Sequence, residues 1–250
     1  MPYHWRWEVF LEPAPAGGTT YLGWMLAGLR MTVGLSLASW LLAFGLGSVM
    51  GVLRTVPNRL LSALAAAYVE VFRNVPLLVQ LFLWYFVAPE LVPIRAGTWF
   101  KQLAPNTQLF LSAMLCLAFF TGARICEQVR AGIQSLARGQ RSAGLALGLS
   151  LAQTYRFVLL PQAFRIIVPP LTSEILNLFK NSAVASTIGL LELAAMGRQL
   201  VDYTAQPYES FIAVTALYLG VNVLILLLMR GVERRSRLKG TLGAGGVASQ

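Results

Sequence analysis

Acidic residues are scarce in this chain: ten Asp and Glu stand against twenty Lys and Arg in 250 residues. Histidine is nearly absent, and the single copy, His4, has only Glu8 close by and no thiol near it. A surface or structural role is therefore expected for His4. No Ser-His-Asp, Cys-His or His-Glu cluster falls inside an apolar stretch, which argues against a hydrolase buried in a membrane. The two cysteines, Cys116 and Cys126, lie ten residues apart in one apolar run. At helical spacing they point to different sides, so neither a disulfide nor a metal site is expected. No Gly-x-x-x-x-Gly-Lys-Ser/Thr loop occurs, so the chain has no ATP-binding signature of its own. Residues 1–20 also lack the basic start, apolar run and cleavage site of a signal peptide. The first apolar span is then expected to serve as an uncleaved insertion signal.

Apolar residues are what the chain has instead. They make up 56% of it against 12% charged, and the mean hydropathy is +0.63. That composition predicts an all-α polytopic membrane protein. The net charge of +10 then reads as basic loops on one side of a bilayer rather than as a nucleic-acid surface.

Hydropathy and breaker residues predict five spans, at about 22–52, 60–92, 108–132, 168–197 and 209–230. They form a transmembrane domain over 21–233, between an irregular N-terminal segment (1–20) and a basic, flexible tail (234–250). Trp5, Trp7, Tyr21 and Trp24 suggest an interfacial belt ahead of the first span. Gly47 and Gly51 form a small-xxx-small pair suited to close helix packing. Pro76 predicts a kink or break in the second span. Glu70 and Arg73 are placed to pair on one helix face. In the third span Arg124, Glu127 and Arg130 follow at three-residue intervals, so Glu127 is within reach of both arginines. Pro169-Pro170 is read as the first turn of the fourth span.

Charge sets the expected orientation. With the turn after span one, the loop after span three and the tail on one side, that side holds twelve Lys and Arg, from Arg54 to Lys239. The other side holds four: Arg6, Arg95, Lys101 and Arg198. The twelve belong in the cytoplasm, with the N-terminus outside and the C-terminus cytoplasmic.

The stretch Gln140–Pro161 is too polar to span a membrane and too apolar for a solvated loop. Its composition predicts a short helix, a turn at Gly148, and a second helix stopped by Pro161. Gly148 is expected to let two backbones approach closely. This stretch resembles the cytoplasmic coupling loop of ABC-importer permeases, whose pattern is Glu-Ala-Ala, three residues, Gly, nine residues, Ile-any-Leu-Pro. Ser142-Ala143-Gly144, Gly148 and Val158-Leu159-Leu160-Pro161 fall on that spacing throughout. Ser142 stands for Glu, Gly144 for Ala and Val158 for Ile. An interfacial segment with chance glycine spacing is the alternative.

Three further stretches resemble the polar-amino-acid permeases of that family: Glu70–Gln80, Glu127–Ile133, and Lys180-Asn181-Ser182 with the following Ile188–Leu193. The likeness is greatest to permeases for glutamate and aspartate, through Leu53–Arg59, Arg124–Arg130 and Ile166–Glu174. It implies a type I ABC-importer permease fold with a coupling loop at 139–161. Ser142, Ala143, Gly144, Gly148, Leu160 and Pro161 would receive the motion of an ATPase dimer. The resemblance further implies a second, related but non-identical permease chain, a periplasmic amino-acid-binding protein and an inner-membrane location. It implies no cofactor in this chain, since ATP and Mg would be bound by the ATPase. Arg124, Lys180, Asn181 and Ser182 are the candidates to line the solute path.

An acidic solute needs a cation in that path, and the planar fork of Arg fits a carboxylate. Many relatives carry an aromatic residue where Arg124 stands. Arg124 is therefore the candidate ligand, with a purely internal salt bridge to Glu127 as the competing reading. Lys180 has a counterpart even in members that carry cationic solutes, so an ordering role within the bundle is expected of it. A permease for glutamine or another polar amino acid, and a channel independent of ATP, are the other functions weighed.

Overall fold

A computed structural model describes residues 3–15, 18–137 and 139–236. Every regular element among them is helical, and the only strand-like feature is an isolated antiparallel bridge between Pro13 and Thr20. The all-α expectation holds. The main helices are α1 (Tyr21–Leu53), α2 (Arg59–Asn74), α3 (Leu77–Leu91), α4 (Ile94–Gln102) and α5 (Pro105–Gln134). After them come α6 (Gly139–Ala146), α7 (Leu160–Asn181), α8 (Leu193–Thr204) and α9 (Pro207–Ser236).

Three of these helices, α1, α5 and α9, are long and apolar enough to cross a membrane unaided. Five crossings result if α2 with α3, and the run Leu151–Ile188 with α8, each count as one bent span. The bend between α2 and α3 is 106° and follows from Pro76, which supplies no N–H and disfavours helix in Val75. Gln80 repairs the break: its buried amide donates to the Phe72 carbonyl at 2.9 Å and the Val75 carbonyl at 2.8 Å. The 50° bend before α8 falls at Gly189, whose φ of +98° suits a residue without a Cβ.

Helix α5 is the most buried of the three long helices and lies at the centre, with α1 on one side and α7 on another. The α1–α5 contact is close because Gly47 and Gly51 face it. A Cβ at Gly47 would stand 2.6 Å from the Gly122 carbonyl and 2.7 Å from Ile125 Cβ. One at Gly51 would stand 2.6 Å from Val129 Cβ. Neighbouring backbone leaves no room to give, so Gly47→Leu should cost roughly 3 kcal/mol or more. The expected result is loss of a monodisperse peak in size-exclusion chromatography, while Gly45→Leu, at an open position, behaves as wild type.

The N-terminal segment folds back onto the bundle. Val9 is fully buried with Tyr21, Met25, Leu193, Leu200 and Val214. The Tyr3 hydroxyl and the Arg6 amide both donate to the Glu209 carboxylate. Trp5 and Trp7 stack on one another, and Trp24 meets Tyr203 edge-on, so the aromatics gather at one end of the bundle.

Several expectations are corrected. Pro169 and Pro170 do not open the fourth span; they lie inside α7, which begins at Leu160. Both are exposed, as are Arg165 and Ile166, whose carbonyls lose their helix partners there. Pro161 does not stop a helix: the helical run from Leu151 passes through the wide turn at Tyr155–Leu159 and continues through Pro161 into α7. Glu70 accepts from Asn74 at 2.9 Å, and no ion pair joins it to Arg73. Helix α9 continues through Arg234 and Arg235; the flexible tail expected beyond it lies outside the described residues, as do Arg138, Arg237 and Lys239.

Candidate functional site

Residues 139–161 form a two-part helical elbow at the end of the bundle. Helix α6 ends in a left-handed turn at Gly148, with φ +83°. The Gly148 N–H reaches the Leu145 carbonyl at 3.0 Å, and the Leu149 N–H reaches the Gly144 carbonyl at 3.1 Å. This pair of bonds is the Schellman closure, and it caps the last carbonyls of the helix. Ser150 then starts the second arm with a capping box: its side chain accepts from the Gln153 N–H and the Gln153 side chain accepts from the Ser150 N–H. That arm passes through a wide turn at Tyr155–Leu159 into α7. Tyr155 and Leu159 of the elbow, with Ala163 of α7, join the core with Ile125, Val129 and Ile133 of α5, and half-buried Leu160 packs against it.

The two glycines of the elbow do different work from that expected. A Cβ at Gly148 would meet nothing within 4 Å, so close approach is not its reason; the positive φ is. The close approach belongs to Gly144, where a Cβ would stand 2.8 Å from Thr154 Cγ2 and 3.1 Å from its Oγ1. Glycine at 144 and threonine at 154 are thus matched across the elbow. Gly144→Ala should destabilise the protein by about 1–3 kcal/mol, and adding Thr154→Ser should recover most of that by removing the methyl group. Thermal unfolding of the two variants reads the difference.

The outer face of the elbow is bare. Ser142 and Ala143 are exposed, Leu147 is 82% exposed and Phe157 62%. Pro161 is exposed as well.

Polar bonds tie the elbow end together. Glu127 of α5 pairs with Arg54 at the end of α1 and with Arg130 at 2.8 Å. The Tyr155 hydroxyl donates to the Thr55 carbonyl at 2.7 Å, joining the elbow to the end of α1.

Arg124 is not paired with Glu127. Its Nε donates to Glu174 Oε2 of α7 at 2.7 Å, and Gln128 donates to the other oxygen at 3.0 Å. Glu127 is engaged by Arg54 and Arg130 instead, so the internal bridge weighed from the sequence had the wrong acid. The Glu174 side chain is only 7% exposed, whereas Arg124 keeps 42% of its own surface. With Nε committed, its terminal nitrogens have no recorded partner among the described residues, and its guanidinium carbon lies 6.0 Å from the Phe120 ring.

The other candidates are not gathered around Arg124. Lys180 is exposed in the last turn of α7, with no ion pair among the described residues. It stands six residues beyond Glu174, roughly 9 Å along the helix and on another face. Ser182 is buried and donates to the Phe179 carbonyl at 2.7 Å, a local helix-end bond. Asn181 borders a small gap with Leu77, Leu81 and Cys116. Cys116 and Cys126 are buried and unpaired.

Sequence reasoning did not single out Glu174, Gln128 or Tyr155. A usable signal existed for Glu174: a carboxylate inside an apolar span requires a cation, and Arg124 was the one left over once Arg130 had taken Glu127.

A bundle broken at two points, with a bare helical elbow at one end, is the architecture of a membrane component of a transport system. The chain belongs to the family of inner-membrane components of binding-protein-dependent transport systems, which matches residues 43–238. It is 58% identical over 244 residues to the glutamate/aspartate import permease GltJ of Escherichia coli K12, covering 97% of this chain and 99% of that one. It is 32% identical to the nopaline transport system permease NocM of Agrobacterium fabrum, covering 87% and 92% of the two chains. Among solved structures, an amino acid ABC transporter crystallised with histidines matches at a TM-score of 0.72 and 29% identity, over 86% of this chain and 95% of that one. A methionine ABC transporter in an inward-facing conformation matches at 0.70 and 21% identity, over 87% and 98%, a likeness of fold alone. The fold is that of a type I ABC-importer permease, and the chain is the permease subunit of such an importer.

Proposed function

We propose that this permease carries an acidic amino acid, glutamate or aspartate, inward across the membrane. The observation that carries the reading is Arg124: a half-exposed guanidinium in the central helix, held by a buried carboxylate through one edge and open at the other. An open fork of this kind suits a solute carboxylate. The near full-length identity to a glutamate/aspartate permease supports the same substrate. Lys180, Asn181 and Ser182 are proposed to border the path farther along, on separate faces.

The elbow is proposed as the face on which the ATPase seats. Leu147 and Phe157 are large apolar side chains with little protein around them, beside Ser142 and Ala143. Ser142 stands where the family pattern has a glutamate, which favours a second, related permease chain carrying the fuller motif. A periplasmic binding protein is proposed to deliver the solute at the opposite end, near the aromatic N-terminal segment. The acidic-solute reading predicts that glutamate-loaded binding protein stimulates ATP hydrolysis by the reconstituted complex, and that arginine offered in its place does not. Equal stimulation by both would remove it.

The charge imbalance supports a cytoplasmic elbow and a periplasmic N-terminus. In intact spheroplasts Trp5→Cys should react with a membrane-impermeant thiol reagent and Leu147→Cys should not. The native cysteines are both buried and contribute no background. The opposite labelling pattern would invert the topology.

A further inference from the structure

A cavity of about 510 Å³ lies between the elbow and the ends of α1 and α5. Its lining includes two arginines, Arg54 and Arg141, and no carboxylate. Arg54 has a local duty, since it caps the end of α1 and pairs with Glu127. Arg141 has none: its guanidinium makes no ion pair or side-chain hydrogen bond among the described residues, although the residue is half-buried. Glu127 is the acid nearest in the network, and Arg54 and Arg130 already hold it. These four groups sum to two positive charges. The remainder of the wall is mixed: Gln134 is polar, while Ile133, Leu136 and Leu159 are apolar.

We propose that this cavity binds a phosphate-bearing anion, and that its source is the phosphodiester headgroup of an anionic lipid. Arg141 and Arg54 meet the phosphate, and the apolar wall takes the first methylenes of the lipid. Free phosphate offers the same charge but nothing to place against Ile133, Leu136 and Leu159. A basic pocket between helix ends at the inner surface is a favourable place for such a headgroup. The inference rests on the cytoplasmic placement of the elbow and is independent of which amino acid is carried.

The test uses the complete transporter in nanodiscs that mix phosphatidylcholine with phosphatidylglycerol. Lipids retained after extraction are counted by native mass spectrometry. Wild type is expected to retain phosphatidylglycerol over phosphatidylcholine. Arg141→Gln should retain it about 5-fold less, the loss of one arginine near a charged headgroup. Arg141→Lys should keep most of it, and Arg230→Gln, away from the cavity, should match wild type. Equal retention by wild type and Arg141→Gln would overturn the site. Displacement of the lipid by inorganic phosphate alone would reassign the cavity to a soluble anion and overturn the lipid assignment. Loss of the ATPase subunit from Arg141→Gln in purely neutral nanodiscs would show that Arg141 belongs to a protein contact instead. Uptake in neutral vesicles is measured alongside, so failure of this site is distinguishable from failure of the transport reading.

Discussion

Gly148→Phe is expected to abolish ATP-driven uptake while the membrane bundle stays folded and ATP is still hydrolysed. Position 148 is the left-handed residue that closes α6, at φ +83°, and it faces open space. A bulky L residue in that conformation costs about 1–2 kcal/mol locally. The strain is small against the stability of the bundle, because Gly148 contacts none of the core around Val129 and Leu159. The large effect comes from outside the chain. In the proposed docking, the elbow presents exposed Leu147 and Phe157 to the ATPase, and a phenyl ring beside them would alter both the turn and the shape of that face. Solute moved per ATP hydrolysed should fall at least about 10-fold, the loss expected when one well-packed contact worth roughly 1.4 kcal/mol or more is removed. Gly148→Asn is the control, since Asn enters the left-handed region readily and is small. It should keep most of the uptake. Wild-type uptake by Gly148→Phe would sink the docking assignment.

The second large effect separates two roles of Arg124. Arg124→Ala leaves the Glu174 carboxylate buried with Gln128 as its one remaining donor. Removing one partner of a buried pair is strongly destabilising. Here the loss should be about 2 kcal/mol, below the range for fully buried pairs because Arg124 keeps 42% of its side chain exposed. Adding Glu174→Gln removes the orphaned charge and should restore thermal stability. Uptake of glutamate should stay lost in the double variant, because the open guanidinium edge is still missing. Recovery of both stability and uptake would make Arg124 a helix tie and nothing more.

The elbow was readable in the sequence because its determinants are local. The turn at Gly148 was read at the right place, though for the wrong reason, while the Ser150–Gln153 capping box, equally local, was not read. The close packing of Gly47 and Gly51 was readable for the same reason, as a repeat on one helix face. What the sequence hid was the choice of tertiary partner. Arg124 and Glu127 sit at ideal i,i+3 spacing, yet Glu127 turns to Arg54, 73 residues away, and Arg124 to Glu174, 50 residues away. Helix geometry says which groups can meet along one helix, not which neighbour a second helix brings. Pro169-Pro170 misled in a related way. Two prolines read as a helix start, but on the exposed side of α7 the freed carbonyls can be borne inside a helix. Gly144 and Gly148 show the same division: both glycines are visible, but only the packed elbow tells which one avoids a clash and which one supplies a turn.

The most direct measurement is uptake into proteoliposomes that hold this permease, its partner subunits and the binding protein, with labelled glutamate, aspartate, glutamine and arginine compared with and without ATP. The account predicts ATP-dependent accumulation of glutamate and aspartate, and little of the other two. Preferential accumulation of glutamine or arginine would contradict the acidic-solute reading and the role given to Arg124.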